Sequence, residues 1–160
     1  MRTQDIKQLN FFLLLFGVIL LGFGCEKKES SDYVEGYIVG SFVGDEVNEE
    51  GQTTGNKTAR GYCILLEGSE NKSMDFYTFN FPDSLFTFPD EILSPNYNGN
   101  DCGPVLFRYS LKYVYKIKFK YQVADEKNKA KFITDPCTAW LLAFPWDNYD
   151  QVTVNEATRN

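Results

Sequence analysis

Apolar and polar residues alternate most cleanly between Lys112 and Val123. Tyr113, Tyr115, Ile117, Phe119, Tyr121 and Val123 fall on one parity. Lys112, Lys116, Lys118, Lys120 and Gln122 fall on the other, interrupted only by Val114. A period of two predicts a β-strand with one buried aromatic face and one wet face. The rest of the chain has to supply the cover for that aromatic face.

Similar patterns predict further strands. Residues 33–43 form the first, with Gly36 and Gly40 in its middle marking a bulge or a sharp coil where backbone approaches backbone. Residues 44–60 are polar and read as a hairpin loop. Residues 61–67 (GYCILLE) are apolar enough for a strand buried on both faces. Residues 74–81 (MDFYTFNF) form a third strand after a turn. Over 82–95 the alternation stops. Phe81-Pro82-Asp83 recurs seven residues later as Phe88-Pro89-Asp90, which is turn chemistry. Leu85, Phe86, Ile92 and Leu93 predict a short helix or helical turns plugging a barrel end. Residues 96–104 read as a loop, and 124–131 as a charged turn. The run Trp140–Phe144 reads as the last core strand, and Gln151–Val154 as a short edge strand. Five main strands with a helical insert between the third and fourth predict an all-β, OB-like barrel over residues 33–155, with 156–160 as a tail. A Greek-key β-sandwich accommodates the same strands and stands as the alternative.

The N-terminus has a different character. Arg2 and Lys7 precede an apolar run from Phe11 to Gly24, which is shorter than the roughly 20 residues of a spanning helix. A charged region, an apolar region and small residues make a secretory leader over 1–24. Gly24-Cys25 resembles the cleavage site of bacterial lipoproteins, although Gly22 stands where that motif usually has Leu. The resemblance implies that Cys25 carries the lipid and that the membrane is a partner through it; two acyl chains give stable anchoring. Residues 25–32 then comprise the lipidated cysteine and a polar tether. The acid- and lysine-rich stretch after Cys25 resembles the surface-export signal of Bacteroidota lipoproteins. The address implied is the cell envelope, on the outer membrane, at its periplasmic or outer face.

Composition narrows the chemistry. The chain has 160 residues and a formal charge of -6, which disfavours nucleic acid as a partner. Histidine is absent, removing the usual acid–base group near neutral pH and the commonest nitrogen ligand for metals. No Gly-rich phosphate loop follows a strand, so neither an enzyme nor a cofactor is expected. Asp45, Glu46, Glu49 and Glu50 cluster without calcium-loop spacing and read as a solvated loop.

The candidate surfaces are few. Lys112, Lys116, Lys118 and Lys120 project from one strand face and could meet an anionic glycan or an envelope protein. Their aromatics lie on the opposite face, so a solvated strand face explains them as well. Trp146 and Tyr149, flanked by Asp147, Asn148 and Asp150, are candidates for stacking on sugar rings. Trp140, in an apolar run, reads as core. Cys102 and Cys137 lie in loops and are the expected disulfide, with Cys63–Cys137 the alternative. Asp83-Ser84-Leu85 resembles the Bacteroidota O-glycosylation acceptor, at Ser84. Taken together, the leader, the charged tether, the short all-β domain, the FPD turn and the YKIKFKY strand resemble the small envelope lipoproteins of Bacteroidota, some of them OB-like. That resemblance implies a binding or accessory module for glycan or protein, or a structural lipoprotein without a small ligand. It carries over no catalytic residue.

Overall fold

The computed structural model describes residues 32–93, 103–134 and 144–160. They form nine strands: β1 (Val34–Phe42), β2 (Asp45–Val47), β3 (Thr53–Lys57), β4 (Gly61–Leu66), β5 (Phe76–Thr78), β6 (Val105–Leu106), β7 (Lys116–Val123), β8 (Phe132–Ile133) and β9 (Asp150–Arg159). The only helical elements among the described residues are short 3-10 turns. No described helix is long and apolar enough to cross a membrane.

Five strands close on themselves. β1 pairs with β4, β4 with β5, β5 with β9, β9 with β7, and β7 again with β1. Every pairing is antiparallel except β5 with β9. The result is an OB-like barrel with β6 added beside the far half of β1. Closure depends on the length and coil of β1. Its first half pairs with β7, and a bulge between Ile38 and Gly40 turns its second half onto β6. The two mid-strand glycines allow this. A Cβ at Gly36 would lie 2.6 Å from the Leu65 carbonyl oxygen, and one at Gly40 would lie 2.8 Å from that of Val105. Backbone does approach backbone at both expected positions.

The barrel interior is filled by Ile38, Ile64, Ile117, Phe119, Val152 and Val154. One end is closed by an aromatic cluster of Phe81, Phe86, Phe88 and Phe107 with Tyr62 and Tyr115. The FPD repeat builds this plug twice over. Phe81 and Phe88 are buried, and each following proline begins a 3-10 turn, Asp83–Leu85 or Asp90–Ile92. Each turn closes by a bond to the proline carbonyl, Leu85 N–H to Pro82 at 3.2 Å and Ile92 N–H to Pro89 at 3.1 Å. The expected helical insert therefore exists as two 3-10 turns.

Three strand expectations change. The Lys/aromatic strand begins at Lys116, because Tyr109–Leu111 is a 3-10 turn that runs into a second turn through Val114. Tyr113 is consequently 37% exposed rather than buried. From Ile117 onward the parity holds. The third strand is only Phe76–Thr78, since the side chain of Asn80 takes over pairing to Val154. The fifth barrel strand is β9, the longest among the described residues, where an edge strand and a tail were expected. Its register shifts against Lys120 and Tyr121, leaving Asn155 as the extra residue. That bulge flips the parity between Val154 and Ala157, so the apolar alternation looks finished at Val154. Residues 140–143 of the expected last core strand lie outside the described residues. Phe144 is not in a strand.

Candidate functional site

Two barrel connections meet on one side of the molecule. The β1–β4 connection holds the hairpin of β2 and β3, and the β7–β9 connection holds β8. β2 pairs antiparallel with β8, Asp45 opposite Ile133 and Glu46 opposite Phe132, so the two connections form a second, three-stranded sheet. The Val47 N–H adds a bond to the Lys131 carbonyl at 3.2 Å. Gly44 permits the crossing, since a Cβ there would meet the Phe132 ring at 2.7 Å.

This second sheet, with Phe144, Trp146 and Tyr149 beyond it in the chain, shelters the outer face of the β1–β4–β5 wall. Val39, Phe42, Cys63, Leu65, Met74 and Tyr77 are buried there beneath Phe132, Phe144, Trp146 and Tyr149. The Phe42 ring lies 4.3 Å from Trp146 and 5.5 Å from Phe132, centroid to centroid. Trp146 also meets Tyr77 at 5.1 Å, and its Nε1–H donates to the buried Thr134 hydroxyl at 3.0 Å. The indole is thus fixed by both ring contacts and a hydrogen bond.

Beside that indole lies a cleft of about 390 Å³. Its floor is Tyr77, Phe132 and Trp146. Its rim carries Glu49, Glu126 and Asp147 together with Lys129 and Lys131. Glu49 and Lys131 form an ion pair across the two connections. Burial, reinforced by Asp147 and Asp150, pushes the Tyr77 phenol up to about 12, so it is a neutral group near neutral pH. A more polar depression of about 470 Å³ continues past Glu126 and Lys127. Acceptors and donors both line an aromatic floor, which suits a ligand rich in hydroxyl groups. No group of three or more potential metal ligands occurs among the described residues.

The lysine row is placed elsewhere and is internally matched. Lys116 bridges Glu35 at 2.6 Å and Glu67 at 3.1 Å, which raises its ammonium pKa. Lys120 pairs with Glu156 at 3.2 Å, and both Lys118 and Lys120 lie over the Tyr33 ring. Lys112 donates to the carbonyl oxygens of Glu70 and Lys72. Carboxylates of β1 and β9 therefore interleave with the lysines of β7. Trp146 is part of the cleft. Tyr149 instead stacks on Phe144 at 5.6 Å, with its hydroxyl 3.4 Å from that of Ser73. Ser84 is exposed in the first FPD turn. Cys25, Cys102 and Cys137 lie outside the described residues. Cys63 carries a free thiol whose pKa burial raises strongly.

Sequence reading missed Tyr77, Phe132, Glu126 and Lys129 as cleft residues. The available signal was topological: in an OB-like barrel the connections between strands 1 and 2 and between strands 4 and 5 flank the ligand face. No family model, curated protein or solved structure matches this chain.

Proposed function

We propose that the protein is a lipid-anchored cell-envelope binding module whose ligand is an uncharged glycan. The observation that carries this reading is the cleft at the junction of the two connections, aromatic at its floor and of mixed charge at its rim. Oligosaccharides are among the ligands that OB-like barrels take in this region. A sugar offers C–H faces to aromatic rings and hydroxyls to carboxylates and ammonium groups alike. Glu49, Glu126 and Asp147 stand against Lys129 and Lys131, and Lys127 adjoins them, so a charged polymer has no clear electrostatic advantage. The leader and Cys25 support an outer-membrane address.

A glycan array probed with the detergent-solubilised full chain tests the reading. Binding is expected, and Glu126→Ala with Lys129→Ala should weaken it by roughly tenfold, as loss of two hydrogen-bonding groups implies. The melting temperature should stay put, since both side chains are on the rim. Failure to bind across the array favours the second reading, a structural envelope lipoprotein. One observation speaks for that reading: the outer wall of β1, β4 and β5 is already covered by the protein's own rings.

A further inference from the structure

A second surface is distinguished by what it exposes. Tyr109 is 82% exposed, Val114 57% and Tyr113 37%. All three lie in the pair of turns that precede β7, and of them only Tyr113 was expected on a buried strand face. The rings are held in place. Tyr113 meets Tyr109 edge-on at 6.3 Å and Tyr37 of β1 edge-on at 5.2 Å. Tyr37 shares a strand parity with Tyr33, which is 42% exposed. Exposed Tyr109 and Tyr113, held against each other and against the half-buried Tyr37, form a fixed aromatic surface.

Three of the four lysines on this face are already compensated. Lys112 is held by two carbonyl oxygens, Lys116 by Glu35 and Glu67, and Lys120 by Glu156. What the face offers is therefore amphipathic rather than purely cationic: aromatic rings with hydroxyl tips, and lysine ammonium groups over them. Lys112 lies 5.5 Å from the Tyr113 ring centre and Lys116 5.9 Å from that of Tyr37. Tyrosine and lysine in this combination suit the boundary between lipid headgroups and acyl chains.

The chain's own connectivity selects the occupant. Tyr33 is where the tether joins the domain. From Cys25 to Tyr33 an extended chain reaches at most about 29 Å. A domain of this size is roughly 35 Å across. A lipid on Cys25 therefore holds the Tyr33 side toward the bilayer and cannot carry the far side round to it. Tyr37 is only about 13 Å further along β1.

We propose that the tyrosine face of Tyr37, Tyr109 and Tyr113, with Val114 beside it, rests on the zwitterionic lipid surface to which Cys25 anchors the protein. The inference rests on the lipid anchor of the proposed function and is independent of the glycan cleft. It gives the domain a set orientation on the membrane rather than free rotation at the end of a tether.

Hydroxyl-radical footprinting of the full lipidated chain in phosphatidylcholine–phosphatidylethanolamine vesicles tests it, with vesicle flotation measured on the same sample. The reference is Cys25→Ser protein free in solution. Oxidation of Tyr109 and Tyr113 should fall roughly fivefold in vesicles, as seating at the headgroup boundary excludes water. Tyr149 should be oxidised equally in both samples, and high salt should not restore reactivity at Tyr109. Flotation without protection overturns the tyrosine face and leaves the anchor standing. Failure to float overturns anchor and face together. Protection of Tyr109 in vesicle-free Cys25→Ser protein that grows with concentration assigns the face to a second copy of the chain, and overturns the lipid contact.

Discussion

Glu35 and Glu156 show how single side chains hold the β7 flank together. The Lys116 ammonium beside Glu35 lowers that carboxyl's pKa. The Tyr33 hydroxyl, then Lys120, does the same for Glu156. Both carboxylates are titrated more easily in the unfolded chain, where their ordinary value is 4.5. Their contribution to stability is therefore complete above that value and is lost as the pH falls through the lowered folded values. Both groups are exposed, so solvent and salt screen the effect and it is a slope rather than a cliff. Thermal unfolding between about pH 5 and pH 3 should show the melting temperature falling as acid protonates these partners. The double variant Glu35→Gln, Glu156→Gln should start lower at neutral pH and fall less steeply. An unchanged acid slope in that variant would place the acid sensitivity on other carboxylates.

At the scale of elements, β9 is the strand that sequence pattern served least well and the barrel needs most. It lies between β5 and β7, and without it the sheet opens. Its grip on the β5 side depends on Asn80, which follows the short strand and imitates one. The Asn80 side chain donates to the Val154 carbonyl and accepts from the Val154 N–H, each at 2.9 Å. Asn80→Ala removes both bonds and should cost about 1–3 kcal/mol, read as a lower urea midpoint with an unchanged slope. Asn80→Asp, which keeps the acceptor alone, should fall between. The contrast with the later part of β7 explains what was legible. Where one parity runs unbroken, as from Ile117 to Phe119, the buried face can be read directly. The bulge at Asn155 breaks parity in β9, and the Lys112–Tyr115 turns happen to imitate it. The FPD repeat was legible as turn chemistry because proline and the following residues act locally. The cleft was not, because Val47, Tyr77, Lys129 and Trp146 are brought together only by the order in which strands close.

At the scale of the whole molecule, one wall separates two apolar layers. Ile38 and Ile64 face the barrel interior, while Phe42, Leu65 and Tyr77 face outward beneath the second sheet. Trp146 belongs only to the outer layer, where it touches Phe42, Tyr77, Phe132 and Phe144. This separation makes the outer layer removable without dissolving the barrel. Trp146→Ala should cost about 3–5 kcal/mol, toward the lower end because the indole is half-buried. Far-UV circular dichroism should retain the β signature while dye binding to exposed apolar surface rises. If the proposed glycan reading holds, glycan affinity should fall in step, since the indole also lines the cleft. Trp146→Phe separates the two roles. It restores a ring but leaves the buried Thr134 hydroxyl without its indole donor, at about 1–3 kcal/mol. Cooperative loss of all β signal in Trp146→Ala would show instead that the barrel and its outer layer fold as one unit, and that the connections forming the cleft are part of what closes the barrel.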